Sequence, residues 1–175
     1  MEGRGGPGLC VIGEGQDASL IVVAGFCGRP MNDMWQYHIA RGEWVARVDL
    51  NLPVARSIFA CGVLSSDPRG VLAEICTFGG ELENYDAALR AQGKDPTRVA
   101  SLYTDETLLI RAGAESSSVR VVESPATVPP ARGWTAGCSA CVETKPCFVM
   151  FGGVREGQEG ENSGVRLGDL WVLKF

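Results

Sequence analysis

The chain has 175 residues, 45% of them hydrophobic, and a formal net charge of -5. That length supports one domain with its own core, and the acidic balance argues against nucleic acid and anionic membranes as partners. Twenty-three glycines and nine prolines without a collagen period point to many tight turns between short strands.

From the N-terminus, Met1 to Gly8 is Gly-rich with no apolar stretch, so no signal peptide is expected there. No apolar run reaches the roughly 18 residues of a membrane helix. The seven cysteines are an odd number, and most sit in apolar runs such as Ile58-Phe59-Ala60-Cys61 and Ile75-Cys76. They read as small free hydrophobes in a reducing, cytoplasmic compartment. Cys138 and Cys141 form a CxxC, but the stretch Thr135 to Val142 reads as one strand, in which the two thiols point to opposite faces.

Internal repetition is the dominant signal. An apolar run ending in glycine recurs as Leu20-Ile21-Val22-Val23-Ala24-Gly25, Ile75-Cys76-Thr77-Phe78-Gly79-Gly80 and Phe148-Val149-Met150-Phe151-Gly152-Gly153. After a variable loop comes Asn32-Asp33-Met34-Trp35, Thr104-Asp105-Glu106-Thr107-Leu108 or Gly168-Asp169-Leu170-Trp171. An arginine-led segment precedes the second and third runs, as Pro53-Val54-Ala55-Arg56-Ser57 and Pro129-Pro130-Ala131-Arg132-Gly133-Trp134; the first unit has no clear counterpart. The units are about 9–49, 51–123 and 128–175, with an insertion at about 81–103. Strands are predicted at about 19–25, 33–38, 43–48, 57–64, 73–79, 105–111, 118–123, 134–142, 147–152 and 169–174. A short helix is predicted over Asp86 to Gln92. His38 reads as a strand-end residue, because it has no evident carboxylate partner. Trp35, Trp44 and Trp171 read as packing residues.

The ordered recurrence of these elements resembles the kelch motif and covers nearly the whole chain. It implies a single all-β domain: a partial kelch β-propeller of about three four-stranded antiparallel blades, the last incomplete. An incomplete ring implies self-association through open blade edges.

Within the kelch proteins, Pro53 to Ala60, Phe78-Gly79-Gly80-Glu81-Leu82 and Pro130 to Thr135 resemble the branch of plant nitrile-specifier and thiocyanate-forming proteins. That resemblance implies a ligand site of Arg56, Phe59, Arg132 and Trp134 at the propeller mouth, where the arginine forks suit a sulfate or carboxylate. Bridging between blades is the other reading of the two arginines. The branch also implies ferrous iron held by a Glu, an Asp and a His after Gly-Gly. Here Glu81 and Asp86 stand near the first two places and Arg90 falls at the third, where it cannot ligate a metal.

Two functions are therefore expected. One is a non-enzymatic interaction module that binds a protein or a small anion through its loops and axial mouth and needs no cofactor. The other is a degenerate specifier-like lyase acting on thiohydroximate sulfates, with ferrous iron.

Overall fold

The structure, a computed structural model, describes residues 1–82, 102–113, 117–123, 127–157 and 164–175. The alternation of small and β-branched residues between glycine turns produces thirteen strands there and one 3-10 turn, Gly15–Asp17. No described helix is long and apolar enough to cross a membrane. The predicted helix over Asp86 to Gln92 lies outside the described residues.

The strands form three antiparallel sheets, none of which closes on itself. In the first, β1 (Gly8–Ile12), β2 (Ser19–Phe26), β3 (Pro30–His38) and β4 (Glu43–Ala46) follow one another as a meander. Two short pieces extend it to six strands: β5 (Arg56–Ser57) pairs with Met31 of β3, and β8 (Glu81–Leu82) pairs with β5. The second sheet is the meander β6 (Ala60–Ser66), β7 (Ala73–Phe78), β9 (Thr107–Ala112) and β10 (Ser118–Val121). The third is β11 (Ala136–Val142), β12 (Lys145–Arg155) and β13 (Val165–Lys174). All ten predicted strands are present, with ends shifted by a few residues.

Three strands lie outside the prediction: the two-residue β5 and β8, and the five-residue β1. β1 pairs along its whole length with β2, from Gly8↔Val23 to Ile12↔Ser19. The Gly-rich start hid it, because the strand offers only Leu9, Cys10, Val11 and Ile12 as its apolar run.

The sheets pack face to face in chain order. Ile12, Ile21, Val23 and Met34 of the first sheet bury against Phe59, Cys61, Ile75, Leu108 and Ile110 of the second unit. Ala60, Cys76 and Phe78 of the second sheet bury against Phe148 and Met150 of the third, with Trp171 and Leu173 alongside. The first strands of the sheets run side by side, with β6 against β1 on one flank and β11 on the other. Such close approach needs a small residue: a Cβ on Gly62 would fall 2.8 Å from the Ser139 nitrogen. Burial pushes the Cys76 thiol up to about 12, and a hydrogen bond with Cys10 together with burial raises Cys61. Both stay protonated thiols and behave as packing groups. Cys138 and Cys141 are free and exposed on β11.

Candidate functional site

An arginine latch closes each unit. Arg56 is fully buried. Its Nη2 donates to Glu106 Oε2 at 2.7 Å, its Nη1 to the Gly79 carbonyl at 3.4 Å, and its Nε to the Val54 carbonyl at 3.3 Å. Arg132, equally buried, donates from both Nη atoms to Asp169 at 2.6 and 2.9 Å, from Nη1 to the Gly152 carbonyl, and from Nε to the Pro130 carbonyl. A parallel two-point contact of this kind is among the strongest that a guanidinium makes.

The first unit has the same latch, and sequence reading missed it. Arg4 donates to both carboxylate oxygens of Asp33, at 2.5 and 3.1 Å, to the Ala24 carbonyl at 3.1 Å, and from Nε to the Glu2 carbonyl. In every unit the arginine holds the carbonyl two residues before itself, the carbonyl of the first residue of the glycine pair, and the acid two places before Trp35, Leu108 or Trp171 of the third strand. Arg4 stands outside any proline-led segment, but the signal was available: an arginine directly before a glycine, as at Arg132-Gly133, upstream of an apolar run and of an acid-x-Trp. In two units the tryptophan completes the latch. Trp35 Nε1 donates to Asp33 Oδ2 at 2.8 Å, and Trp171 Nε1 to Asp169 Oδ2 at 2.6 Å. The arginine and tryptophan bonds outweigh burial and hold the Asp169 carboxyl well below the usual carboxylate range. At Asp33, burial works to raise the carboxyl, and the bonds from Arg4 and Trp35 more than offset it.

The glycine pair repeats in backbone as well. The successive φ values are 50° and 106° at Ala24-Gly25, 73° and 113° at Gly79-Gly80, and 66° and 105° at Gly152-Gly153. A Cβ at the second position would sit 3.0, 3.0 and 2.7 Å from the carbonyl oxygens of Gly5, Ser57 and Gly133. Glycine is required there. At Ala24 the first position lies in the left-handed region, which alanine occupies at a cost of roughly 1–2 kcal/mol, whereas a Cβ on Gly79 would run into the Arg132 carbonyl oxygen. Ala24-Gly25 is therefore a working version of the Gly-Gly pair.

The latches account for the donors of the two arginines that were expected to line a ligand site. Each guanidinium is engaged within its own unit, so neither arginine bridges two units through its guanidinium, and neither is presented to a ligand. Phe59 is 6% exposed and belongs to the core between the first and second sheets. Of the four expected ligand residues, Trp134 alone faces solvent, at 65% exposure.

Trp134 belongs to a different repeating feature. The residues two places after the latch arginines are Gly6, Ile58 and Trp134, with φ of 55°, 51° and 55°. They are joined in series: the Ile58 N–H donates to the Gly6 carbonyl at 2.7 Å, and the Trp134 N–H to the Ile58 carbonyl at 2.8 Å. One backbone hydrogen bond per step thus ties each unit to the next at the start of its first strand. Gly80 adds a bond from its N–H to the Arg132 carbonyl at 2.8 Å. Beside Trp134 lies Tyr103, nearly buried and packed over Gly133, where a Cβ would meet the ring at 2.6 Å. Burial and the nearby Glu81 push the Tyr103 phenol up, while a hydrogen bond with Trp134 opposes them. Tyr103 is also the backbone bridge partner of Glu81.

Glu81 is half-buried in β8, opposite Ser57. Asp86 and Arg90, the other positions that bear on an iron site, lie outside the described residues. Among the described residues no three His, Cys, Asp or Glu side chains gather as a metal site. His38 closes β3, as expected, with Nδ1 3.0 Å from Ser19 Oγ. Trp44 lies against Tyr37 with ring centroids 4.8 Å apart.

At the other end of the sheets, the turns after β1, β3 and β6 enclose a polar cleft of about 350 Å³ bordered by His38, Arg41, Arg47 and Arg69. Arg47 is committed to Asp49 and Gln36.

No protein-family model matches the sequence.

Proposed function

We propose that the three sheets are blades of a kelch-type β-propeller, and that the chain works as a protein-interaction module. The observation that carries the architecture is the arginine latch, found three times with the same carbonyl and carboxylate partners. Consecutive meanders, stacked in chain order with their first strands adjacent and stitched through one backbone position, support an arrangement of blades about an axis.

The recognition surface is the end of that axis where Gly6, Ile58 and Trp134 lie. Trp134 is exposed, lies beside Tyr103, and is set on a left-handed backbone. An aromatic side chain fixed before binding makes an efficient anchor, because little freedom is lost on association. The latch arginines are spent on their own units, which favours a protein segment over a small anion. The net charge of -5 and Glu81 beside Tyr103 favour a segment carrying positive charge next to an apolar residue.

A displayed library of random peptides, selected on the chain alone and then assayed on Trp134→Ala, tests this reading. Enriched peptides should pair an apolar residue with Lys or Arg. They should bind Trp134→Ala roughly ten- to a hundredfold more weakly, the loss of one anchor at about 1.4–2.7 kcal/mol. Selection that yields no binder, or binders indifferent to Trp134, would overturn it.

A further inference from the structure

The two outermost sheet faces are built like the two halves of the internal junctions. With the glycine pairs aligned, the residues by which the second sheet packs on the first are Cys61, Val63, Ile75, Leu108 and Ile110. Those by which the third packs on the second are Phe148, Met150, Trp171 and Leu173. The same positions on the first sheet are Leu9, Val11, Leu20, Val22, Trp35 and Tyr37, and they sit in two cross-strand rows, Leu9↔Val22↔Trp35 and Val11↔Leu20↔Tyr37. Among the described residues no sheet covers this face; Leu9 and Val11 are 55% and 53% exposed, while Val22, flanked by Leu9 and Trp35 in its row, is 3% exposed.

The converse holds at the far side. The first sheet receives the second on Ile21, Val23 and Met34, and the second receives the third on Ala60, Cys76 and Phe78. The equivalent positions of the third sheet are Ala136, Val149, Phe151 and Leu170, in register across β11, β12 and β13. Phe151 and Leu170 are 55% and 63% exposed. One face has the inserting pattern and the other the receiving pattern, and both are apolar.

The backbone series has matching ends. Each internal step pairs an N–H of one unit with a carbonyl of the unit before it. The Gly6 N–H and the Trp134 carbonyl, the donor and acceptor of the next steps, have no hydrogen-bond partner among the described residues.

We propose that a second copy of this chain docks head to tail, its first sheet on the third sheet of its partner. Resting on the blade reading above, two such junctions close a ring of six sheets, within the four to eight blades that propellers adopt. A second copy is the occupant because each copy supplies both complementary faces, and such a heterologous contact either closes or propagates. Each new junction repeats the apolar packing and the backbone bond of the two already present.

Light scattering after size exclusion, on the 175-residue chain at about 10 μM, should give twice the 18.6 kDa chain mass. Two double variants at exposed positions separate the geometries: Leu9→Glu with Val11→Glu, and Phe151→Glu with Leu170→Glu. Each should run at the chain mass with the far-ultraviolet circular dichroism of the parent. Its self-association should fall on the order of a hundredfold or more. Mixing the two variants should restore a dimer, because one junction then joins two unaltered faces. A parent that stays at the chain mass overturns the docking while leaving the blade reading in place. So does a variant pair in which one member still dimerises, which marks face-to-face association, or a parent that forms open-ended polymers.

Discussion

At the scale of single residues, three buried arginines organise the molecule. A guanidinium with no exposure can remain charged inside a protein only if its donors are met. Arg4, Arg56 and Arg132 meet that need with one carboxylate and two carbonyls each. Arg56 and Arg132 were visible in the sequence as a repeat, but their role was not, because a motif records position and not what the side chain touches. Arg4 was invisible as a repeat because glycines replace the prolines and apolar residues that flank the other two. Arg4→Ala should therefore destabilise the chain about as much as Arg132→Ala, by roughly 2–4 kcal/mol. That is the usual loss for a broken buried pair, reduced for the partly exposed carboxylates. Urea denaturation at pH 7 gives the comparison, and an Arg4→Ala midpoint equal to that of the parent would contradict the equivalence. The folded-state carboxyls of Asp33 and Asp169 are lowered, so their contribution is full above the ordinary carboxylate range. It fades as pH falls below about 4. The deficit of Arg4→Ala should shrink at pH 3.

At the scale of elements, strands with periodic apolar residues were legible, and strands defined by their neighbours were not. β2, β7 and β12 announce themselves as apolar runs ending in glycine. β5 and β8 have two residues each and exist because Arg56 and Leu82 pair beside Met31, a register that no local pattern encodes. The second unit departs from the others at the latch, where Glu106 replaces Asp and Leu108 replaces Trp. The leucine fills the core between the first and second sheets, so packing is kept where the indole hydrogen bond is lost. The contact of β6 with β11 depends on Gly62. Gly62→Val should force the second and third sheets apart, since backbone atoms of Cys138 and Ser139 lie within 3.2 Å of a Cβ placed there. Overpacking of this kind costs about 1–3 kcal/mol, and more when backbone is the obstacle. The loss should appear as a lower urea midpoint with faster amide exchange in β11 and β12 before β2 and β3. Unchanged stability would mean that the two sheets are not held this closely.

At the scale of the whole molecule, the sequence conveyed the all-β class and the order of the units. The latch was not legible, because a repeated arginine does not say whether its side chain is buried among its own unit's carbonyls or exposed. The account's central claim is that the sheets fan about an axis beside β1, β6 and β11 rather than stacking flat. Electron spin–spin distances between labels introduced as unnatural residues test it, with labelled chain diluted in unlabelled chain. One pair, Glu14 and Val142, lies at the ends of the first strands of the first and third sheets; the other, Ile39 and Lys174, lies at the ends of the third strands at the same level. Third strands stand two interstrand spacings, roughly 10 Å, farther from the axis. The account predicts that the second pair is longer than the first by roughly 10 Å or more. Equal distances, near the roughly 20 Å of two flat inter-sheet steps, would contradict it.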